Sequence, residues 1–427
     1  MANSKKKGTC SSIAILDSIS LKLARKGLDT MKKHVDVARS SYDEPLKLTR
    51  TVEEFVEFVE KIDAKHLTYQ EILQNKELTL FNCHHGQKKL VMSLLEFVAE
   101  ALKALKVPQR DLIVVYPGAS GLAVAVAMSI FKEVTFYLYD PAPNTVDLIP
   151  ANRRSEFSIC RTKASRIEKR DRVTIFTDKA GFFDDAEALK FAAFPNVLLV
   201  SDVRMVNREV KIAEDMRNQQ RWAVLCGAVG YMFKFRIPYQ WNAEIADCYD
   251  VRHLKNANPA AKIQIVKSSG SGIPYLDGRL FIQLYPKATT AELRLIGFAP
   301  KQLSYKVKTY DVKEIEDALA LFNAVYRSHA VYKAGRHSGS YFRERDLFPG
   351  YEVVAEYEIA TKIQSALGGS KTVEMLDSII REIDKNLVQY RLGMESCVKR
   401  TFDVDRTPEE RKSSNVVARA IRDCGTF

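Results

Sequence analysis

The sequence predicts an α/β protein built on a doubly wound sheet. Short, continuously apolar runs recur at 111–116, 134–140, 172–177, 197–202 and 222–229. Runs of this kind suit strands covered on both faces. Helical or irregular stretches separate them, as crossovers between parallel strands require. Of the 427 residues, 46% are hydrophobic, enough to fill a core in one large domain or in two.

Residues 1–75 read as a helical extension of mixed charge. The basic run Lys5–Lys7 fits a localisation signal as well as a solvated tail. In "TVEEFVEFVEKI" (51–62), Val52, Phe55, Val56, Val59 and Ile62 fall at helical spacing, and Thr51 with Glu54 forms a capping box. A second helix begins near residue 86, with Leu90, Val91, Leu94, Leu95, Val98 and Leu102 along its buried stripe. Lys88 and Lys89 sit in its first turn, where cations oppose the helix dipole. Their placement is either tolerated or has another cause.

The five apolar runs follow, the last of them at 222–229. The stretch 262–298 reads as three β segments with an Asp277-Gly278 turn, added antiparallel to the parallel sheet. After Phe298 the chain turns mainly helical, with a 3.6-residue period in 310–326 and again in 373–390. Between these, 327–345 is basic with interleaved aromatics, which suits an RNA-contacting loop or a solvated one. The domain reading is 1–75 as a helical extension, 76–325 as the sheet domain, and 326–427 as a basic loop with a helical extension.

Composition narrows the function. No apolar run approaches the length of a membrane span, which predicts a soluble protein with no membrane partner. The start lacks an apolar signal region, so secretion is not expected. The seven cysteines form no C-x-x-C pair, and the seven histidines include only the adjacent pair His84 and His85, so no metal is expected. A net charge of +12 is compatible with nucleic acid or another acidic partner.

Two sets of residues carry chemistry. In "VVYPGASGL", Gly118 and Gly121 let the backbone approach a ligand closely after a strand, and Asp140 ends the next strand. An acid there can hold ribose hydroxyls. The third glycine of the dinucleotide pattern is missing, which counts against a nicotinamide dehydrogenase. The second set is Lys89, Asp202, Lys234 and Glu292. Lys89 lies in a helix, Asp202 at the end of a strand, Lys234 just after the next strand, and Glu292 at the opening of a late one.

The segments "GQKKL", "VVYPGASG", "FYLYD", "RVTIFTD", "VLLVSDVR", "MFKFRIPY" and "TAELRLI" occur in that order. With them the sequence resembles the poxvirus-type cap-specific mRNA nucleoside 2'-O-methyltransferases, whose members double as a poly(A) polymerase small subunit. It resembles more closely the related kinetoplastid enzymes that methylate spliced-leader caps. The match to the poxvirus type covers roughly residues 80–325. The resemblance implies a Rossmann-like S-adenosylmethionine-dependent methyltransferase sheet with added antiparallel strands and helical N- and C-terminal extensions. It implies S-adenosyl-L-methionine as cofactor, framed by Gln87, Tyr116, Gly118, Gly121, Asp140 and Arg204. It implies Lys89, Asp202, Lys234 and Glu292 as the catalytic tetrad.

A ribose 2'-hydroxyl must lose its proton as the methyl arrives. A lysine can take that proton only if its pKa falls toward neutrality, which a nearby cation promotes. Lys234 is assigned as the base and Lys89 as the cation beside it. Asp202 and Glu292 orient the two amines. The resemblance implies capped RNA as the substrate, and an N7-methylguanine cap is a cation that aromatic faces bind well. It implies Tyr239 and Tyr42 as candidate walls of the cap pocket, with Glu316 reading the guanine edge. The acceptor implied by the kinetoplastid resemblance is the second transcribed nucleotide of spliced-leader RNA. Residence is then nuclear, or cytoplasmic for a viral protein, and partners from the capping or RNA-processing machinery are compatible with it. The alternative is a non-catalytic RNA-binding processivity subunit of a polymerase, which would have no use for all four tetrad residues.

Overall fold

The computed structural model describes residues 48–61, 86–119, 122–141, 167–170, 172–204, 208–239, 241–266, 272–286, 290–299, 301–327, 350–369 and 378–383. Helix α1 (Val52–Lys61) opens on the expected capping box: Glu54 N–H donates to Thr51 Oγ1 and the Glu54 carboxylate accepts from Thr51 N–H, both at 3.3 Å. Helix α2 (Gly86–Leu105) begins where the sequence places it. The chain then alternates through β1 (Ile113–Pro117), α3 (Leu122–Ile130), β2 (Thr135–Tyr139), β3 (Ile167–Arg170), β4 (Val173–Phe176), α4 (Asp185–Leu189), β5 (Val197–Ser201), α5 (Glu209–Cys226) and β6 (Gly230–Arg236). Short helices α6 (Ala243–Asp247) and α7 (Arg252–Lys255) lead to β7 (Lys262–Ile265), β8 (Gly272–Leu276), β9 (Arg279–Phe281), β10 (Glu292–Phe298) and β11 (Ser304–Asp311). Helices α8 (Val312–Leu321) and α9 (Gly350–Ala366) follow.

The main sheet has eight strands in the order β3-β4-β2-β1-β5-β6-β10-β9. Strands β4, β2, β1, β5 and β6 run parallel, and β3, β10 and β9 pair antiparallel with their inner neighbours. This is a Rossmann-like sheet with antiparallel strands at both edges. Four of the five apolar runs are its strands β1, β2, β4 and β5. Strand β5 is buried along its whole length, as its continuous apolar pattern requires.

The fifth run is different. Residues 222–226 are the last turn of α5, not a strand, and the strand comes later, at 230–236. Trp222 through Cys226 are all buried, so this turn has no polar face and looks like a strand in sequence. Gly227, at φ 65°, ends the helix: its N–H donates to Val224 O, and Ala228 N–H donates to Ala223 O. That is the left-handed glycine cap. As a result Lys234 lies within β6 and does not follow a strand.

The 262–298 stretch also departs from expectation. It holds four strands, and only β9 and β10 join the main sheet. Strands β7 and β8 flank β11 in a separate three-stranded sheet, so Asp277-Gly278 crosses between sheets and is not a hairpin turn. Strand β11 itself occupies 304–311, where a helical segment was expected. The reason is packing. Tyr275 Oη donates to Met216 O at 2.7 Å, and Tyr305 Oη lies 3.0 Å from both Ala223 O and Ala228 O. The tyrosines anchor the small sheet on α5, which covers one face of the main sheet.

The other face is covered by α2, where Phe97 stacks on Phe298 with ring centroids 6.0 Å apart. Helix α9 packs on α2 in turn and explains Lys88. Its Nζ lies 2.5 Å from Glu356 Oε1, and both side chains are 1% exposed. Tyr285 adds its ring 5.0 Å from the ammonium. Arg50, just before α1, reaches Glu96 of α2, Tyr351 of α9 and Ile282 O. Lys5–Lys7, His84, His85 and residues 328–345 of the basic loop lie outside the described residues.

Removing one partner of a buried ion pair strands the other. Lys88→Met is expected to cost about 3–5 kcal/mol of stability. The double change Lys88→Met with Glu356→Leu is expected to be more stable than the single one. Thermal unfolding of the three proteins measures this.

Candidate active site

Strand register brings the tetrad together. The β5–β6 pairing ends at Ser201 opposite Phe233, so the next step sets Asp202 beside Lys234. On the far side of β6, Lys234 faces Arg294 and Arg236 faces Glu292. Side chains two residues apart on a strand share a face. Asp202, Lys234, Glu292 and Arg294 therefore converge on the α2 face. The reversed direction of β10 brings its first residue to the edge where the parallel strands end, and Lys89 descends onto it from the first turn of α2.

The distances are those of a linked cluster. Lys89 Nζ lies 3.1 Å from Glu292 Oε1. Lys234 Nζ lies 3.4 Å from Asp202 Oδ1 and 3.5 Å from Glu292 Oε2. The four side chains keep only 14–17% of their exposure. Arg294 completes the group. Its Nη2 is 2.7 Å from Asp202 Oδ1 and 3.9 Å from Glu292 Oε1, in ion pairs whose angles are not those of hydrogen bonds. Gln283 Nε2 donates to Glu292 Oε1 at 3.0 Å.

Burial sets the protonation states. Burial alone would raise the Glu292 carboxyl, but Lys89, Lys234, Arg294 and the Gln283 hydrogen bond hold it well below the ordinary range. Burial would also raise Asp202, and Arg294 and then Lys234 hold it down. Lys89 is shifted the other way. Burial lowers it most, and Arg294 and Lys234 lower it further, against the pull of Glu292. Two carboxylates thus stay ionised among three cations, and one of the amines can release a proton more readily than a free lysine.

The backbone of Lys234 is fixed as well. Strand β5 has ended at this level, and the buried Gln219 of α5 takes its place. Gln219 Oε1 accepts from Lys234 N–H and its Nε2 donates to Lys234 O, both at 3.3 Å. Neither Gln219, Arg294 nor Gln283 was among the sequence candidates. The one available signal was "ELR", which puts Glu292 and Arg294 on the same face of a strand.

The cofactor candidates lie beside this cluster. Gly118, at φ 76°, turns the chain after β1, and its N–H and that of Ala119 both reach Tyr139 O, at 2.8 and 3.3 Å. Asp140 follows Tyr139, half-buried, so turn and carboxylate are neighbours. The glycine is needed for a reason besides a ligand: a Cβ there would stand 2.8 Å from Val203 N and 2.9 Å from Asp202 C. Burial pushes the Tyr116 phenol up, and the nearby Asp202 adds to it, which leaves Tyr116 a neutral hydrogen-bonding group. Arg204 is largely buried, with Nη1 4.0 Å from Asp215 and no hydrogen bond to either terminal nitrogen among the described residues. Polar groups set around a strand-edge turn in this way fit an adenosine-bearing cofactor. Gln87 lies in α2 with its side chain outside the described residues, and Gly121 lies outside them altogether.

Tyr239 and Glu316 line one shallow cleft with Ile237, Pro238, Thr290, Ala291 and Leu319. Tyr239 is 56% exposed, and the Arg236 guanidinium sits 4.3 Å from its ring centroid, covering one face. Glu209 holds that guanidinium at 2.6 Å. Burial, and then Asp317, raise the Glu316 carboxyl. Tyr42 lies outside the described residues. Among the described helices none is long and apolar enough to cross a membrane.

No protein-family model matches the sequence, and no curated protein matches it. Among solved structures the chain is similar to bluetongue virus VP4, described as a multifunctional RNA-capping production line. The identity is 15%, the TM-score is 0.34, and the match covers 69% of this chain and 47% of that one. The chain thus spans about half the length of VP4.

Arg294→Met leaves Asp202 with one cation fewer in a buried setting. The expected cost is about 3–5 kcal/mol, and Arg294→Lys, which keeps the charge, is expected to lose less. Denaturant titration of the two variants against the parent protein decides.

Proposed function

We propose that the chain is an S-adenosylmethionine-dependent RNA methyltransferase acting on a ribose 2'-hydroxyl near a 5' cap. The observation that carries this reading is the Lys89–Glu292–Lys234–Asp202 cluster, set at the sheet edge beside the Gly118 turn. S-adenosylmethionine, when bound, supplies an electrophilic methyl group. Tyr116, Gly118, Asp140 and Arg204 are the described residues that would hold it.

The chain's own residues do the rest. Lys234 takes the hydroxyl proton at Nζ. Asp202 and Glu292 aim that nitrogen and, by staying ionised, give the proton a favourable place to reside. With Arg294 and one charged amine set against the two carboxylates, the other amine can be neutral without leaving a net negative charge buried. Much of the acceleration comes from holding the hydroxyl in line with the methyl group. The Tyr239 face left open by Arg236 suits a cationic methylguanine, and the Glu316 carboxylate in the same cleft suits the N–H groups of its edge. The basic balance suits RNA phosphates. The kinetoplastid resemblance makes the second transcribed nucleotide of spliced-leader RNA the acceptor and the nucleus the place of action.

The test incubates the protein with labelled S-adenosylmethionine and capped RNAs that differ in premethylation, then maps the methylated nucleotide. Transfer to a cap-proximal 2'-hydroxyl is expected. Absence of transfer across such RNAs overturns the reading. Lys234→Ala is expected to lose about 10²–10⁴-fold in rate. The rate is expected to rise with pH as the cluster loses its proton, and Lys89→Met, which removes a cation, to move that ascending limb to higher pH. For the cleft, affinity for a free methylated cap analogue is expected to fall as pH drops through the raised range of Glu316. Glu316→Gln is expected to bind about tenfold or more weakly and to lose that pH dependence, as fluorescence titration can show.

A further inference from the structure

The segment that follows β9 is unusually constrained. Ile282 N–H donates to Arg50 O at 2.9 Å, and Ile282 O accepts from the Arg50 guanidinium at 3.1 Å. Gln283 O accepts from Arg327 Nη2 at 3.0 Å. Two residues on, Tyr285 has φ 52°, the left-handed region that bulky side chains avoid. Such a conformation persists only where its surroundings hold it. Here they come from α9: Glu352 accepts from Tyr285 N–H at 3.4 Å, and Glu356 accepts from the Tyr285 hydroxyl. Arg327, which holds Gln283 O, is itself bound to Glu352.

The strained turn points one amide at the site. Gln283 is buried, and its Nε2 donates to Glu292 Oε1, the same oxygen that Lys89 holds. Glu292 Oε2 is then left facing Lys234. Gln283 Oε1 has no hydrogen-bond partner among the described residues, so the amide is oriented by its backbone and not by a second bond of its own.

We propose that Gln283 is a positioning residue for Glu292, and that α9 acts on the site by locking the 282–285 turn that presents it. Resting on the methyltransferase reading, this adds to the reacting cluster a brace from a helix beyond the segment that resembles the poxvirus enzymes. By holding Oε1, Gln283 stops the carboxylate rotating and keeps Oε2 on Lys234. It also favours the ionised carboxylate, as do the cations that face Glu292, Lys89 from α2, Lys234 from β6, Arg294 from β10 and Arg204 beyond β5, while the Asp202 carboxylate opposes it.

Gln283→Leu keeps the bulk and removes the donor. The expected result is a kcat about tenfold lower, with KM for RNA and for S-adenosylmethionine unchanged. The Glu292 carboxyl is expected to protonate at higher pH, because its ionised form loses a hydrogen bond. Wild-type kcat, or a change in KM alone, overturns the proposal. A second readout needs no transfer: a carboxyl carbon-13 titration of Glu292, assigned with Glu292→Gln, is expected to shift upward in Gln283→Leu. If the wild-type protein transfers no methyl group, the functional reading fails while this titration still decides the brace. Should Gln283→Leu not fold, Gln283→Glu sets a second carboxylate against Glu292 and is expected to shift the titration upward still. For the role of α9, Glu352→Gln with Glu356→Gln is expected to lower kcat and to move the Glu292 titration upward in the same way. A lowered melting temperature with both unchanged overturns that part.

Discussion

The exchange of ion pairs among Lys89, Glu292, Lys234, Asp202 and Arg294 is the constraint on which the rest depends. Charges this deeply set cannot be left alone, because the loss of hydration exceeds what a single imperfect partner returns. Each must therefore find opposite charge within a few ångströms, and the fold is arranged so that it does. The pairing of β5 with β6 delivers one carboxylate and one amine. The reversed β10 delivers the other carboxylate and the guanidinium. Helix α2 supplies the last amine. A shift of one residue in any of these registers would turn the side chain to the opposite face. It would meet the apolar layer under α5 instead of a counter-charge, so the electrostatics also enforce the register.

Adjacent lysines show how local context divides roles. Lys88 and Lys89 face different neighbours on α2. One is sealed against Glu356 of α9 and serves stability. The other meets Glu292 at the strand edge and keeps some exposure to solvent. Both answer the same difficulty, a cation in a first helical turn, with a carboxylate from a distant part of the chain. The dipole penalty at that position is small beside a buried pair.

Much of this was legible in the sequence. Four of the five apolar runs became strands because burial on both faces leaves a continuous pattern. Asp202 could be read because it ends such a run, and the family resemblance tied Lys89, Lys234 and Glu292 to it. The last turn of α5 could not be told from a strand, since burial all round erases helical periodicity. Strand β11 was hidden for the opposite reason: its alternating, partly exposed pattern merges into the helical period of α8. Arg294 was marked only by its place two residues after Glu292 on a strand, and nothing local marks Gln219, which acts from a helix. Gly118 was read as making room for a ligand, and its backbone neighbours Asp202 and Val203 add a second cause.

The reversed strand also sets an order of events as the chain is made. Glu292 lies 203 residues beyond Lys89 in the chain. Lys234 emerges from the ribosome well before either Glu292 or Arg294. Until β10 has been synthesised, the parallel strands can assemble with their apolar faces covered, but the two amines lack a shared carboxylate and stay hydrated. Contacts between such distant segments form late, after the entropy of closing the loop has been met. In the order of synthesis the five parallel strands thus precede the one antiparallel strand that carries both Glu292 and Arg294.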